Sequence, residues 1–101
     1  MVDRAFVYIL RCADGSYYVG SARDELDHRI AEHQTGLFGG YTARRRPVTL
    51  VFHQEFQQIT DAIAAERRLK GWSRAKKEAL IAGDFDLLRS LSKRTANQTS
   101  P

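Results

Sequence analysis

Apolar residues run without a break through Phe6-Val7-Tyr8-Ile9-Leu10, and a second short run, Tyr17-Tyr18-Val19-Gly20, follows after Ala13-Asp14-Gly15-Ser16. Runs rich in β-branched and aromatic residues read as strands, and an Asp-Gly pair between two of them reads as a tight turn, so this segment predicts a β-hairpin. The length of the turn decides which side chains meet. A two-residue Asp14-Gly15 loop pairs positions whose numbers sum to 29 and puts Tyr8 and Tyr18 on opposite faces. A three-residue Ala13-Asp14-Gly15 loop, with Gly15 left-handed in a bulge, makes the sum 28 and puts both rings on one face. The second register is the one expected, because only it lets both phenols reach one point.

From Asp24 to Gln34 the spacing predicts a helix whose apolar stripe is Leu26, Ile30 and Leu37. Gly36, Gly39 and Gly40 end it and predict a flexible loop carrying Tyr41 and Arg44-Arg45-Arg46. After Pro47, the segment Val48 to Phe52 predicts a third strand, apolar enough to be central. A second helix is expected from about Thr60, with the stripe Ile59, Ala62, Ile63, Glu66 and Leu69, closed by Gly71 or Trp72. Ser73 can cap a third helix running through Lys76, Ala79 and Leu80 to Gly83, and Asp84 a short last one with Phe85, Leu87, Leu88 and Leu91. The fold class this predicts is α+β, a three-stranded antiparallel sheet flanked by helices.

At 101 residues and 43% hydrophobic composition the chain suits one small domain, expected over residues 1–92. Lys93 to Pro101 has no large apolar residue with which to recover its ordering entropy, so a disordered tail is expected there. No apolar run is long enough to cross a membrane, and Met1-Val2-Asp3-Arg4 lacks the layout of a signal peptide, which predicts a soluble, cytoplasmic protein without a membrane partner. The single cysteine, Cys12, has no disulfide partner and reads as a strand residue. The net charge of +4 is uneven. Met1 to Ala65 holds seven Lys and Arg against eight Asp and Glu, whereas Glu66 to Pro101 holds nine against four. A basic second part is compatible with a polyanionic partner and equally with solvated helix faces.

Polar groups interrupt the apolar stripes at three places. Arg29 and His33 fall three and seven residues after Leu26 and share its face, and Glu66 breaks the stripe of the second helix. An unpaired charge in a low-dielectric interior costs roughly several kcal/mol, so such positions need a partner or a purpose. Two readings stay open. Arg29 and Glu66 form a buried ion pair, His33 is a satisfied core histidine, and Tyr8 and Tyr18 are core aromatics with hydroxyls reaching water. Alternatively the two phenols, the guanidinium, the imidazole and the carboxylate form one site, with the parts needed to hydrolyse a phosphodiester with one divalent metal ion.

Taken in chain order, hairpin tyrosine, second tyrosine, helix Arg-x-x-x-His and later helix Glu, the sequence resembles the GIY-YIG endonuclease domain. The resemblance is to its small stand-alone bacterial members, related to the nuclease module of the excision-repair incision subunit. Phe6-Val7-Tyr8 stands at the GIY position and Tyr18-Val19-Gly20 at the YIG position, while Tyr41-Thr42 and Leu69-Lys70-Gly71-Trp72-Ser73-Arg74-Ala75-Lys76-Lys77-Glu78 resemble segments of the stand-alone subgroup. The match covers about Ala5 to Ile81. Phe6 replaces the first glycine, Val19 replaces an isoleucine, and the stretch from Gly20 to Arg29 is one residue longer than usual.

The resemblance implies a metal-dependent DNA nuclease, structure- or end-selective rather than sequence-specific, acting in DNA repair or recombination. RNA stays open beside DNA, and no oligomeric state is implied. Glu66 would hold one Mg2+ or Mn2+, and Tyr8, with Tyr18 or His33, would position or deprotonate the attacking water. Arg29 would acidify Tyr8 and clamp the phosphate. Tyr41, Arg44, Arg45 and Arg46, with Lys70, Arg74, Lys76 and Lys77, would follow the nucleic-acid backbone. The alternative on the same fold is a nucleic-acid-binding module that does not cut. A small interaction protein, with Arg29 and Glu66 as an ion pair, is a third reading.

Overall fold

The first apolar run becomes β1 (Ala5–Arg11), and in a computed structural model describing residues 4–37 and 39–99 it lies between β2 (Tyr17–Arg23) and β3 (Thr49–Phe56). Both neighbours run antiparallel to it. Val7, Ile9 and Leu10 are wholly buried, because a middle strand covered on both faces has no solvent side. At about 1.5–3 kcal/mol for each large aliphatic side chain fully buried, β1 is the anchor of the sheet. The third strand, expected to be central, is an edge strand instead. Its second half, His53-Gln54-Glu55, is polar and exposed, and an uninterrupted apolar run marks the middle strand better than a half-apolar one.

The hairpin turn settles the register. Cys12 N–H donates to Ser16 O at 2.8 Å and Gly15 N–H to Cys12 O at 2.9 Å, enclosing Ala13-Asp14-Gly15 with Gly15 at φ +84°. Tyr8 therefore sits opposite Gly20 and Leu10 opposite Tyr18, the register that puts both rings on one face.

On that face, Phe6, Tyr8, Leu10 and Cys12 pack with Val48 and with Leu26 of α1 (Leu26–Gln34). The helix begins at Leu26 rather than Asp24. Asp24 has φ +63° and donates its N–H to Arg4 O at 2.7 Å, turning the chain out of β2, so Ser21-Ala22-Arg23 is strand rather than loop. Leu37 lies past the helix end and is 69% exposed, so it is not part of the stripe. The Gln34 side chain donates to Val48 O and accepts from Val48 N–H, tying α1 to the start of β3. Within the expected loop, Gly40–Ala43 forms a short helix, α2, that carries Tyr41 and Thr42. Val7 and Ile9 point to the opposite face, and α3 (Ile59–Lys70) packs on β1 and β2 with Ala62, Ala65 and Leu69 buried. Ile63, expected on that stripe, is partly exposed.

The chain divides into two compact units, Met1–Lys70 and Gly71–Pro101. The second is a pair of packed helices, α4 (Arg74–Ala82) and α5 (Phe85–Thr99). Ser73 caps α4 by accepting from Lys76 N–H, Gly83 ends it in a left-handed conformation, and Asp84 accepts from Leu87 N–H at the start of α5. The backbone of α5 stays helical to Thr99, past Ser92, where the sequence suggests that folding ends; Lys93, Arg94, Ala96 and Gln98 are tolerant of helix. Ser100 and Pro101 lie outside the described residues. Among the described residues no helix is long and apolar enough to cross a membrane.

Candidate functional site

Gly20, opposite Tyr8, makes the first contact possible. A Cβ at this position would come within 2.6 Å of the phenol oxygen and 2.7 and 2.9 Å of its ring carbons Cζ and Cε2. Without it, Tyr8 lies against the β2 backbone, 1% exposed, with its hydroxyl 2.8 Å from His33 Nε2. The other ring nitrogen, His33 Nδ1, is 2.8 Å from Thr42 Oγ1, and both His33 and Thr42 are buried. Three polar groups from β1, α1 and α2 thus satisfy one another, and no buried side-chain nitrogen or oxygen among the described residues lacks a partner. Tyr18 closes over this chain, its ring centroid 5.1 Å from His33 and 6.4 Å from Tyr8, and Tyr41 stacks outside it at 6.2 Å.

The opposite wall is charged. Glu66 on α3 accepts from Ser21 Oγ at 2.6 Å through one oxygen and contacts Lys70 Nζ at 2.6 Å through the other. Arg29 donates from Nη1 to Ser21 O at 3.3 Å, and its Nε lies 3.5 Å from Glu32. Tyr8, Tyr18, Arg29, His33 and Glu66 all line one open pocket of about 370 Å³, together with Gly20, Ser21, Tyr41 and Thr42. A larger groove of about 760 Å³, whose lining includes Phe6, Leu26, Leu50 and His53, contains none of these five. The smaller pocket, not the larger groove, is the one that gathers the five residues expected to form one site.

The environment sets the charges. Burial, then the neighbouring Tyr18, raises the Tyr8 phenol above its ordinary 10.0, and Arg29 opposes this without prevailing. Arg29 does act to acidify Tyr8, as expected, but desolvation outweighs it, and the phenol keeps its proton at neutral pH. Burial, and next Arg29, holds His33 below its ordinary 6.5, against a smaller opposing pull from Glu32, so the imidazole is neutral. For Glu66 burial alone acts upward, but Lys70, Ser21 and Arg67 together outweigh it and hold the carboxyl below its ordinary 4.5. Glu66 is ionised, a hard oxygen donor that fits Mg2+ or Mn2+ with water and phosphate as the other ligands. Among the described residues no three His, Cys, Asp or Glu side chains gather to form a fuller metal cage.

The basic residues expected to follow a nucleic-acid backbone have varied surroundings. Arg45 bonds Asp14 at 3.0 Å and Tyr41 O at 2.9 Å, and lies over the Tyr41 ring at 3.8 Å, so it fastens α2 to the hairpin loop. Arg46 donates to Ala43 O and Gln34 O. Arg44 is exposed. Lys70 contacts Glu66, and in the second unit Arg74 pairs with Glu78 while Lys76 lies over the Trp72 ring. Lys77 is half-buried on α4. Gly20 and Thr42 stood in the segments that carry the family resemblance, but the sequence assigned no role to either, nor to Ser21. The role of Gly20 was available once the register was chosen, since that register places it against Tyr8, whereas nothing in the local pattern shows what Ser21 or Thr42 would bond.

The sequence profile of the GIY-YIG catalytic domain matches residues 4–79. A UPF0213 protein of Staphylococcus saprophyticus is 41% identical over 81 residues, covering 80% of this chain and 98% of that protein. A UPF0213 protein of Halobacterium salinarum is 45% identical over 75 residues, covering 74% and 96%. Among solved structures, the solution structure of a UPF0213 protein from Bacillus halodurans is similar with a TM-score of 0.51 at 39% identity, covering 78% of this chain and 83% of that one. A protein from E. faecalis is similar with a TM-score of 0.55 at 34% identity, covering 83% and 88%.

Proposed function

The chain belongs to the GIY-YIG family, and from that premise we propose that it is a metal-dependent DNA nuclease whose chemistry takes place in the pocket of Tyr8, Tyr18, Arg29, His33 and Glu66. The observation that carries this reading is the 2.8 Å bond between the Tyr8 hydroxyl and His33 Nε2. In-line hydrolysis of a phosphodiester needs a proton taken from the attacking water, charge offset on the phosphoryl oxygens and help for the leaving oxygen. A protonated phenol cannot simply accept a proton, but it can pass one on. As the Tyr8 oxygen takes the proton of the attacking water, its own proton moves along the existing bond to His33 Nε2, which burial keeps unprotonated.

The Thr42 hydroxyl can accept from His33 Nδ1–H, the tautomer this relay uses, which leaves Nε2 as the acceptor toward Tyr8. Arg29 places its guanidinium at the pocket wall, where its planar fork suits two phosphate oxygens. Glu66 is the donor for the divalent ion, and Ser21 holds its orientation. When bound there, Mg2+ or Mn2+ supplies charge neutralisation at the phosphate and at the leaving oxygen. Tyr18 and Tyr41 wall the pocket from the solvent side of His33.

Arg44, Lys70 and the cations of α4 would meet phosphates rather than base edges, which favours cutting by DNA structure or at ends over cutting at a defined sequence. That selectivity would suit a role in DNA repair or recombination, and contacts directed at phosphates would accept RNA as well as DNA. The test is to incubate the protein with supercoiled, branched and single-stranded DNA in Mg2+ or Mn2+. Products that disappear on chelation are expected. Salt-dependent binding with no products from any substrate would instead favour the non-cutting module.

A further inference from the structure

Both oxygens of the pocket's carboxylate are engaged. Ser21 donates to Glu66 Oε1 at 2.6 Å, and the Lys70 ammonium lies 2.6 Å from Oε2. The pair is spaced four residues apart on α3 with the acid first, the favourable order on a helix. The Lys70 side chain is 54% exposed while that of Glu66 is 18% exposed, so the cation covers the carboxylate from the solvent side. A divalent ion approaching Oε2 would enter the space the ammonium fills and would be repelled by it. The flexible four-carbon stem of Lys70 lets it leave without disturbing the helix, and Ser21 keeps the carboxylate aimed after it has gone.

We infer that Lys70 is the resident counter-ion of Glu66 and that a divalent metal ion binds by displacing it, ammonium and metal competing for one carboxylate. This rests on the metal-binding reading of Glu66 given above. Metal affinity is therefore lower than a free carboxylate in this pocket would show. Removing a partly exposed but short charge-assisted contact should tighten metal binding roughly two- to tenfold.

The experiment is a titration of the full chain with Mn2+, followed by loss of the free-ion electron paramagnetic resonance signal. It compares wild type, Lys70→Gln, Lys70→Arg, Arg67→Gln and Glu66→Gln, each checked for folding by circular dichroism. Arg67 also acts on Glu66 through its field, so Arg67→Gln measures the effect of removing a nearby positive charge that does not occupy the carboxylate. Expected are a Kd lowered by the factor above in Lys70→Gln, a near wild-type Kd in Lys70→Arg, a change under twofold in Arg67→Gln, and loss of the site in Glu66→Gln. If Glu66→Gln abolishes binding but Lys70→Gln leaves Kd unchanged, or Arg67→Gln tightens it equally, the counter-ion role is overturned while the metal site stands. If Glu66→Gln binds Mn2+ like wild type, the metal reading itself fails and the counter-ion role with it.

Discussion

Gly20→Ala isolates the steric basis of the site, because Gly20 has no side chain to lose and its backbone is ordinary strand. The added Cβ would stand 2.6, 2.7 and 2.9 Å from Tyr8 Oη, Cζ and Cε2. A retreat of the Tyr8 ring would disturb its packing and its bond: it is 1% exposed and its hydroxyl is bonded to His33. Overpacking a filled core costs about 1–3 kcal/mol. Removing a glycine from the unfolded chain returns about 0.4–1 kcal/mol, so a net loss of about 1–2 kcal/mol is expected. For a domain of this size that lowers Tm by roughly 5–15 °C. Thermal and urea unfolding of wild type, Gly20→Ala, Tyr8→Phe and the double variant measure it. The double variant should recover only part of the loss, since removing the hydroxyl leaves the contacts with both ring carbons. A Gly20→Ala protein with wild-type Tm would refute the close approach of Tyr8 to the β2 backbone.

Thr42→Val leaves His33 Nδ1 without its partner in a buried place and should cost about 1–3 kcal/mol, with Thr42→Ser close to wild type; urea midpoints decide it. His33 titrates below its ordinary 6.5 in the folded protein, so the unfolded chain binds a proton that the folded chain refuses. Stability therefore falls as pH drops below about 6.5 and stops falling from this cause once the folded value is passed. His33→Asn should flatten that part of the stability–pH curve, and identical slopes in the two proteins would count against it. Glu66 is depressed, so its contribution is present above its ordinary 4.5 and is lost as pH falls through the folded value; Glu66→Gln should flatten this more acidic part alone.

The hairpin shows how far local chemistry reaches. Asp14-Gly15 between two strand runs, together with the requirement that Tyr8 and Tyr18 converge, selects one register, and the structure has it. The caps at Ser73, Gly83 and Asp84 were legible for the same reason, since each is decided within one helical turn. The edge position of β3 was misjudged because Val48 to Phe52 is apolar, while the polar His53-Gln54-Glu55 that continues the strand was left out. The convergence of Arg29, His33 and Glu66 was signalled by polar groups on apolar stripes. Their partners were not, since Ser21 and Thr42 are small residues whose roles exist only once α3 and α2 are in place. The charge state of Tyr8 was also out of reach, because it depends on the balance between burial and Arg29, and burial follows from packing alone.

The most direct measurement is single-turnover cleavage of a branched DNA in Mn2+ by wild type and by Tyr8→Phe, Arg29→Ala, His33→Ala and Glu66→Ala, each confirmed as folded. If these side chains form one hydrolytic site, every variant loses at least about a hundredfold in rate, the scale of removing one proton-transfer or charge-stabilising group. Cleavage at the wild-type rate by Glu66→Ala or Arg29→Ala would contradict it.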